Sequence, residues 1–82
     1  MKNRATFYIL GISSFNQIYL IEKKIKDLCG IISCKGSMPK GKLQVEFKPS
    51  IVSDIEIINK IEDQGFSVVK KIQREYYREI YN

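Results

Sequence analysis

Histidine is missing altogether from this 82-residue chain, and that absence removes more chemistry than any residue present adds. Without imidazole there is no Ser-His-Asp triad, no Cys-His nucleophile and no zinc site built on histidine. Cysteine is scarce: Cys29 and Cys34 are the only two, too few for the disulfide framework that staples a small secreted domain. No apolar run approaches the ~20 residues of a membrane span. The N-terminus, Met1-Lys2-Asn3-Arg4, is basic, but neither the apolar core nor the cleavage site of a secretory signal follows it. A cytoplasmic location without membrane insertion is the expectation.

What is present suits one small domain. The chain is 44% hydrophobic and 28% charged, ordinary proportions for a globular protein. At this length it buries only roughly 60% of the surface exposed when unfolded. Fourteen basic residues against nine acidic ones give a net charge of +5, a balance that favours acidic partners without specifying one.

The element pattern is regular. Thr6-Phe7-Tyr8-Ile9-Leu10 is aromatic and β-branched and ends at Gly11, so it reads as a strand. Beyond Phe15 the period changes to that of a helix, with Ile18, Ile21, Ile25 and Leu28 in one stripe and Gly30 as the stop. Ile31 to Lys35 reads as a short second strand, and 36–41 as a hairpin connection. Lys42 to Phe47 alternates polar and apolar, a third strand ended by Pro49. Ser53-Asp54-Ile55-Glu56 is a capping box. The helix behind it buries Ile57 or Ile58, and Ile61, and Gly65 closes it before a fourth strand over 66–69. The order βαββαβ predicts an α+β, ferredoxin-like sandwich: a four-stranded antiparallel sheet with two helices on one face. The domain is expected over 1–72. The charged, tyrosine-rich tail over 73–82 reads as a linker or, with Ile72, Tyr76 and Ile80 four apart, as a helix laid on the sheet.

Thr6 to Val68 resembles a heavy-metal-associated (HMA) domain, the module of metallochaperones and metal-transporting P-type ATPases. The resemblance rests on Ile18-x-x-Ile21-Glu22-x-x-Ile25-x-x-Leu28-x-Gly30-Ile31, on Leu43-x-Val45-x-Phe47-x-Pro49, and on Ile57-Ile58-x-x-Ile61-Glu62-Asp63-x-Gly65-Phe66, all in register. The last of these looks most like the ATPase domains, where a Gly-Phe pair sits beside the metal loop. The resemblance also marks departures. That family opens its first helix with Gly-Met-Thr-Cys-x-x-Cys, whereas this chain reads Gly11-Ile12-Ser13-Ser14-Phe15-Asn16-Gln17. Ser14 and Gln17 stand at the ligand positions, Ile12 replaces a methionine, Gly36 a core valine, and Lys48 an aspartate.

Neither replacement is a thiolate, the soft anionic donor that Cu(I) prefers. Ser14-x-x-Gln17 instead matches a capping box, with the serine oxygen accepting from the Gln17 amide and the Gln17 side chain returning to the Ser14 amide. Cys29 lies roughly 20 Å from this loop, at the far end of a helix rising 1.5 Å per residue. The resemblance gives Cys34 and Met38 core roles. No metal and no cofactor is therefore expected. The reading is a degenerate HMA domain acting by protein contact, with another HMA domain or a metal-transporting ATPase as partner. Its expected contact surface is Ile12, Ser13, Phe15, Lys40, Lys42 and Phe66.

RNA-recognition motifs share the βαββαβ order, and Lys40 to Phe47 partly echoes their third-strand signature. However, Lys42 and Gln44 occupy the positions of stacking aromatics, leaving Tyr8 alone, so nucleic acid is not the expected partner. Acylphosphatases share the order too, but the first loop offers Asn16 without an arginine, and no catalysis is expected. A third alternative is low-affinity metal carriage, with Ser14 and Gln17 helped by a partner's cysteines.

Overall fold

The computed structural model describes the backbone of residues 1–75 and the side chains of residues 1–69. The element order is β1 (Asn3–Leu10), α1 (Phe15–Lys26), β2 (Ile31–Ser37), β3 (Lys42–Phe47), α2 (Asp54–Glu62) and β4 (Ser67–Glu75). The strands form one antiparallel sheet in the order β2-β3-β1-β4. This is the expected ferredoxin-like sandwich, with both helices on one face.

Strand alternation puts the core there. Asn3, Ala5, Phe7 and Ile9 of β1 and Leu43, Val45 and Phe47 of β3 point under the helices, because successive strand side chains leave opposite faces. Ile18, Ile21 and Ile25 of α1 and Ile57 and Ile61 of α2 meet them from above. Each such aliphatic side chain contributes about 1.5–3 kcal/mol when fully buried. Of the two candidates on α2, Ile57 is fully buried and Ile58 is half-buried against the cluster.

Several element boundaries differ from the sequence reading, and β1 already begins at Asn3 rather than Thr6. α1 ends at Lys26, so Leu28 packs from the turn that follows rather than from the helix stripe. β2 continues through Gly36 and Ser37, which pair with Leu43 and Lys42. β4 continues through residues 70–75, so this part of the tail is strand rather than helix or linker. Its register sets Lys70 opposite Tyr8 and Glu75 opposite Asn3, with an irregularity between Tyr8 and Ile9. The physical reason is the same for both strands: an edge backbone facing an available partner gains ladder hydrogen bonds that local periodicity does not reveal. The 72/73 division falls within this strand, and residues 76–82 lie outside the described residues.

Candidate functional site: the loop end of the sandwich

Three connections meet at one end of the molecule: residues 11–14 between β1 and α1, 38–41 between β2 and β3, and 63–66 between α2 and β4. Glycine lets them approach. Gly41 has φ +67° and is buried, and a Cβ there would lie 2.8 Å from the Ile9 carbonyl oxygen. The Ile9 amide donates to the Gly41 carbonyl at 2.9 Å, which ties the hairpin to β1. Gly11, at φ +92°, presents its backbone to the Phe66 ring, with an added Cβ falling 3.5 Å from Cδ1.

The structure brings the expected contact residues to this end but divides them. Ile12 and Phe66 are half-buried and pack against the core. Ser13, Ser14 and Lys40 are exposed, Phe15 is 68% exposed, and Lys42 is half-buried on the open side of β3. Leu10 at the end of β1 and Tyr19 on α1, which the sequence reading did not name, are 58% and 57% exposed. Phe15 and Tyr19 are four apart on the helix and share its outer face, and Lys23 Nζ lies 5.7 Å from the Tyr19 ring centroid. Their signal in the sequence was an aromatic pair off the isoleucine stripe.

Ser14 is the N-cap of α1, and its Oγ accepts from the Gln17 amide at 3.4 Å. The return bond differs from the expected box. Gln17 Oε1 accepts from the Ser13 amide at 2.6 Å and from Ser13 Oγ at 3.2 Å, one residue earlier than Ser14. At α2 the complete box does form: Ser53 Oγ accepts from the Glu56 amide at 3.1 Å, and Glu56 Oε1 accepts from the Ser53 amide at 3.0 Å. The difference is reach, since Gln17 Oε1 finds two donors on Ser13.

These bonds decide whether the loop suits a metal. The oxygens of Ser14 and Gln17 are neutral, hard donors already engaged in ordering the loop, and they do not fit a soft cation. The cysteines offer no substitute. Cys29 is exposed in the turn after α1, while Cys34 is buried in β2. Burial in apolar surroundings pushes the Cys34 thiol up to about 12, with the Glu22 carboxylate adding to the shift and Lys26 opposing it. A thiol so held stays protonated, whereas a metal needs the thiolate. Among the described residues, no group of three or more Cys, Asp or Glu side chains is placed to hold a metal ion.

Gly36 has a local account. A Cβ there would fall 2.6 Å from Ile18 Cγ1, so Ile18 already fills the space a valine would take. The Gly36 amide donates to Glu22 Oε2 at 2.6 Å, pinning β2 to α1.

A βαββαβ sandwich with a helix opening from a glycine loop at one end is the ferredoxin-like class, which several functions share, and comparison with known proteins specifies the family. The copper chaperone CopZ of Bacillus subtilis is 31% identical over 65 residues, which cover 79% of this chain and 94% of CopZ. Copper-transporting ATPase 2 of Rattus norvegicus is 38% identical over 58 residues, 71% of this chain. The chain spans about 4% of the length of that ATPase. Among solved structures, the N-terminal domain of a potential copper-translocating P-type ATPase from Bacillus subtilis, in its Cu(I)-loaded state, superposes with a TM-score of 0.83. It covers 93% of this chain and 95% of its own at 20% identity, a likeness of fold. No family model matches the chain. The chain belongs to the family of the CopZ chaperone, the HMA-type metallochaperone domains, with a degenerate metal site. Among the described residues, no helix is long and apolar enough to cross a membrane.

Proposed function

We propose that this domain acts in the cytoplasm as an interaction module of heavy-metal transport, docking a protein partner through its loop end without itself holding the metal. The observation that carries the reading is the engagement of Ser14 and Gln17: the ligand positions are occupied by a hydrogen-bonded helix cap. The loop is ordered by its own bonds, so the surface exists without a cation. Phe15 and Tyr19 on α1 and Leu10 at the end of β1 supply exposed apolar area, and Lys40 and Lys42 supply charge. The kin carry the partner class. CopZ and the copper-transporting ATPases share this frame, so the expected partner is another HMA domain or the cytosolic part of a metal-transporting ATPase.

The test is a Cu(I) competition titration of the reduced chain against a chelator, beside the Ser14→Cys/Gln17→Cys variant. The natural chain is expected to fail in the competition and the variant to take one metal. Tight stoichiometric uptake by the natural chain would overturn the loss of the site. The docking half is read by reversing the charge of Lys40 and Lys42, which should weaken binding to an acidic HMA domain.

A further inference from the structure

The helices cover one face of the sheet and, among the described residues, nothing covers the other. That open face carries a shallow depression lined by Arg4, Ser33, Lys35, Gln44 and Glu46. We propose that it is a second docking surface, taking an acidic polypeptide segment laid across β2, β3 and β1.

Its charges are unevenly satisfied. Glu46 is engaged, 3.5 Å from the Arg4 guanidinium and accepting from Ser33 Oγ at 3.0 Å. Lys35 and Lys42 make no ion pair with any of the described residues. The register places Lys35 opposite Gln44, and Lys42 opposite both Tyr8 and Ser37. Lys35 and Lys42 are thus diagonal neighbours, a relation that spaces residues about 7–8 Å apart. Two like charges this close repel, and a carboxylate between them removes the repulsion while gaining two attractions. Gln44 adds a neutral hydrogen-bonding amide beside the cations.

The acids lie elsewhere. Asp54, Glu56 and Glu62 are on α2 and Asp63 caps it, so α2 carries acid where the sheet face carries base, while α1 carries Lys23, Lys24 and Lys26 in its last turn. A second copy of the chain is a poor occupant, because each copy brings a net charge of +5 and long-range repulsion opposes the pair. Single-stranded RNA would need π-faces for its unstacked bases. Beside Tyr8 the neighbouring strand offers Lys42 and Gln44 instead. Extended carboxylates on a polypeptide match what the face does offer, the ammonium groups of Lys35 and Lys42 and the side-chain amide of Gln44.

This surface shares Lys42 with the loop end, so its test uses Lys35, which the loop-end reading does not involve. The full isotope-labelled chain is titrated with polyglutamate of about 20 residues at low salt, where charge attraction is least screened. Saturable amide shifts at Tyr8, Ser33, Lys35 and Gln44 are expected. Lys35→Glu should weaken binding about tenfold, while Lys24→Glu, the same charge change on α1, should leave it within about twofold. Lys35 is exposed on the sheet, and a melting curve checks that its variant is folded. Shifts scattered over Lys23, Lys24 and Lys48, or equal losses in both variants, would make the attraction mere net charge and overturn the proposal. Tighter binding of oligouridylate than of polyglutamate on the same face would overturn it in favour of nucleic acid.

Discussion

Single atoms decide what this domain does not do. A cysteine-to-serine change at a ligand position replaces a polarizable anion with a protonated hydroxyl, and the hydroxyl here caps the helix instead. The remaining thiols are inert as a pair for a different reason, since burial favours the neutral form of Cys34. Two outcomes follow for Cys34. Iodoacetamide at neutral pH should modify Cys29 in the folded chain and leave Cys34 untouched until denaturant is added, as mass spectrometry would show. The thiol also links stability to alkaline pH. Its folded value is raised, so the unfolded chain loses that proton first and binds fewer protons between about pH 9 and 12. Stability is thus fully present below that window and falls as pH rises through it, by at most about 1.4 kcal/mol per pH unit from this group. The Cys34→Val variant should show a shallower decline of melting temperature over the same range. An identical decline would mean that the thiol titrates normally in the fold.

At the scale of elements, the two helices are started by the same device with different completeness. Ser53 and Glu56 close the full reciprocal box, whereas Gln17 ties back to Ser13. The stripe of isoleucines made both helices legible from their spacing, because burial against a sheet requires a 3.6-residue period. β4 was legible only in its first residues. Its continuation through residues 70–75 is charged, and it is a strand because β1 offers Asn3 to Tyr8 as a partner edge. That pairing carries a prediction. A chain ending at Val69 keeps the helix-facing core but strips β1 of half its ladder, and should lose on the order of a few kcal/mol at about 1 kcal/mol per hydrogen bond. Urea denaturation of this truncation beside a chain ending at Glu75 measures the difference. Equal midpoints would show that residues 70–75 add nothing to the sheet.

The whole molecule is polarised. Three loops converge at one end, acidic side chains collect on α2, and Lys35, Lys42 and Arg4 share the sheet's open side. A basic molecule attracts acidic partners from a distance, and such attraction fades as salt rises. For the loop end, Lys40→Glu/Lys42→Glu should weaken binding to an acidic HMA domain about tenfold at low salt and less near 0.5 M. Calorimetry at both salt concentrations checks it, and unchanged affinity would remove Lys40 and Lys42 from the docking surface. Lys35→Glu separates this end from the sheet face, since it leaves the loops intact.

The sequence by itself determined the frame: a period of two for the strands, a period near 3.6 for the helices, glycines at the turns, and no thiolates at the loop. These are local properties, set by backbone geometry and side-chain chemistry within a few residues. Tertiary structure alone decided where Gln17 turns, why Gly36 has no room for a side chain, how far β4 runs, and that Ile12 and Phe66 pack inward while Phe15 stays out. Each of these depends on a partner distant along the chain or on competition between neighbouring donors. Hydrogen bonds and packing are settled between surfaces that only the folded chain brings together.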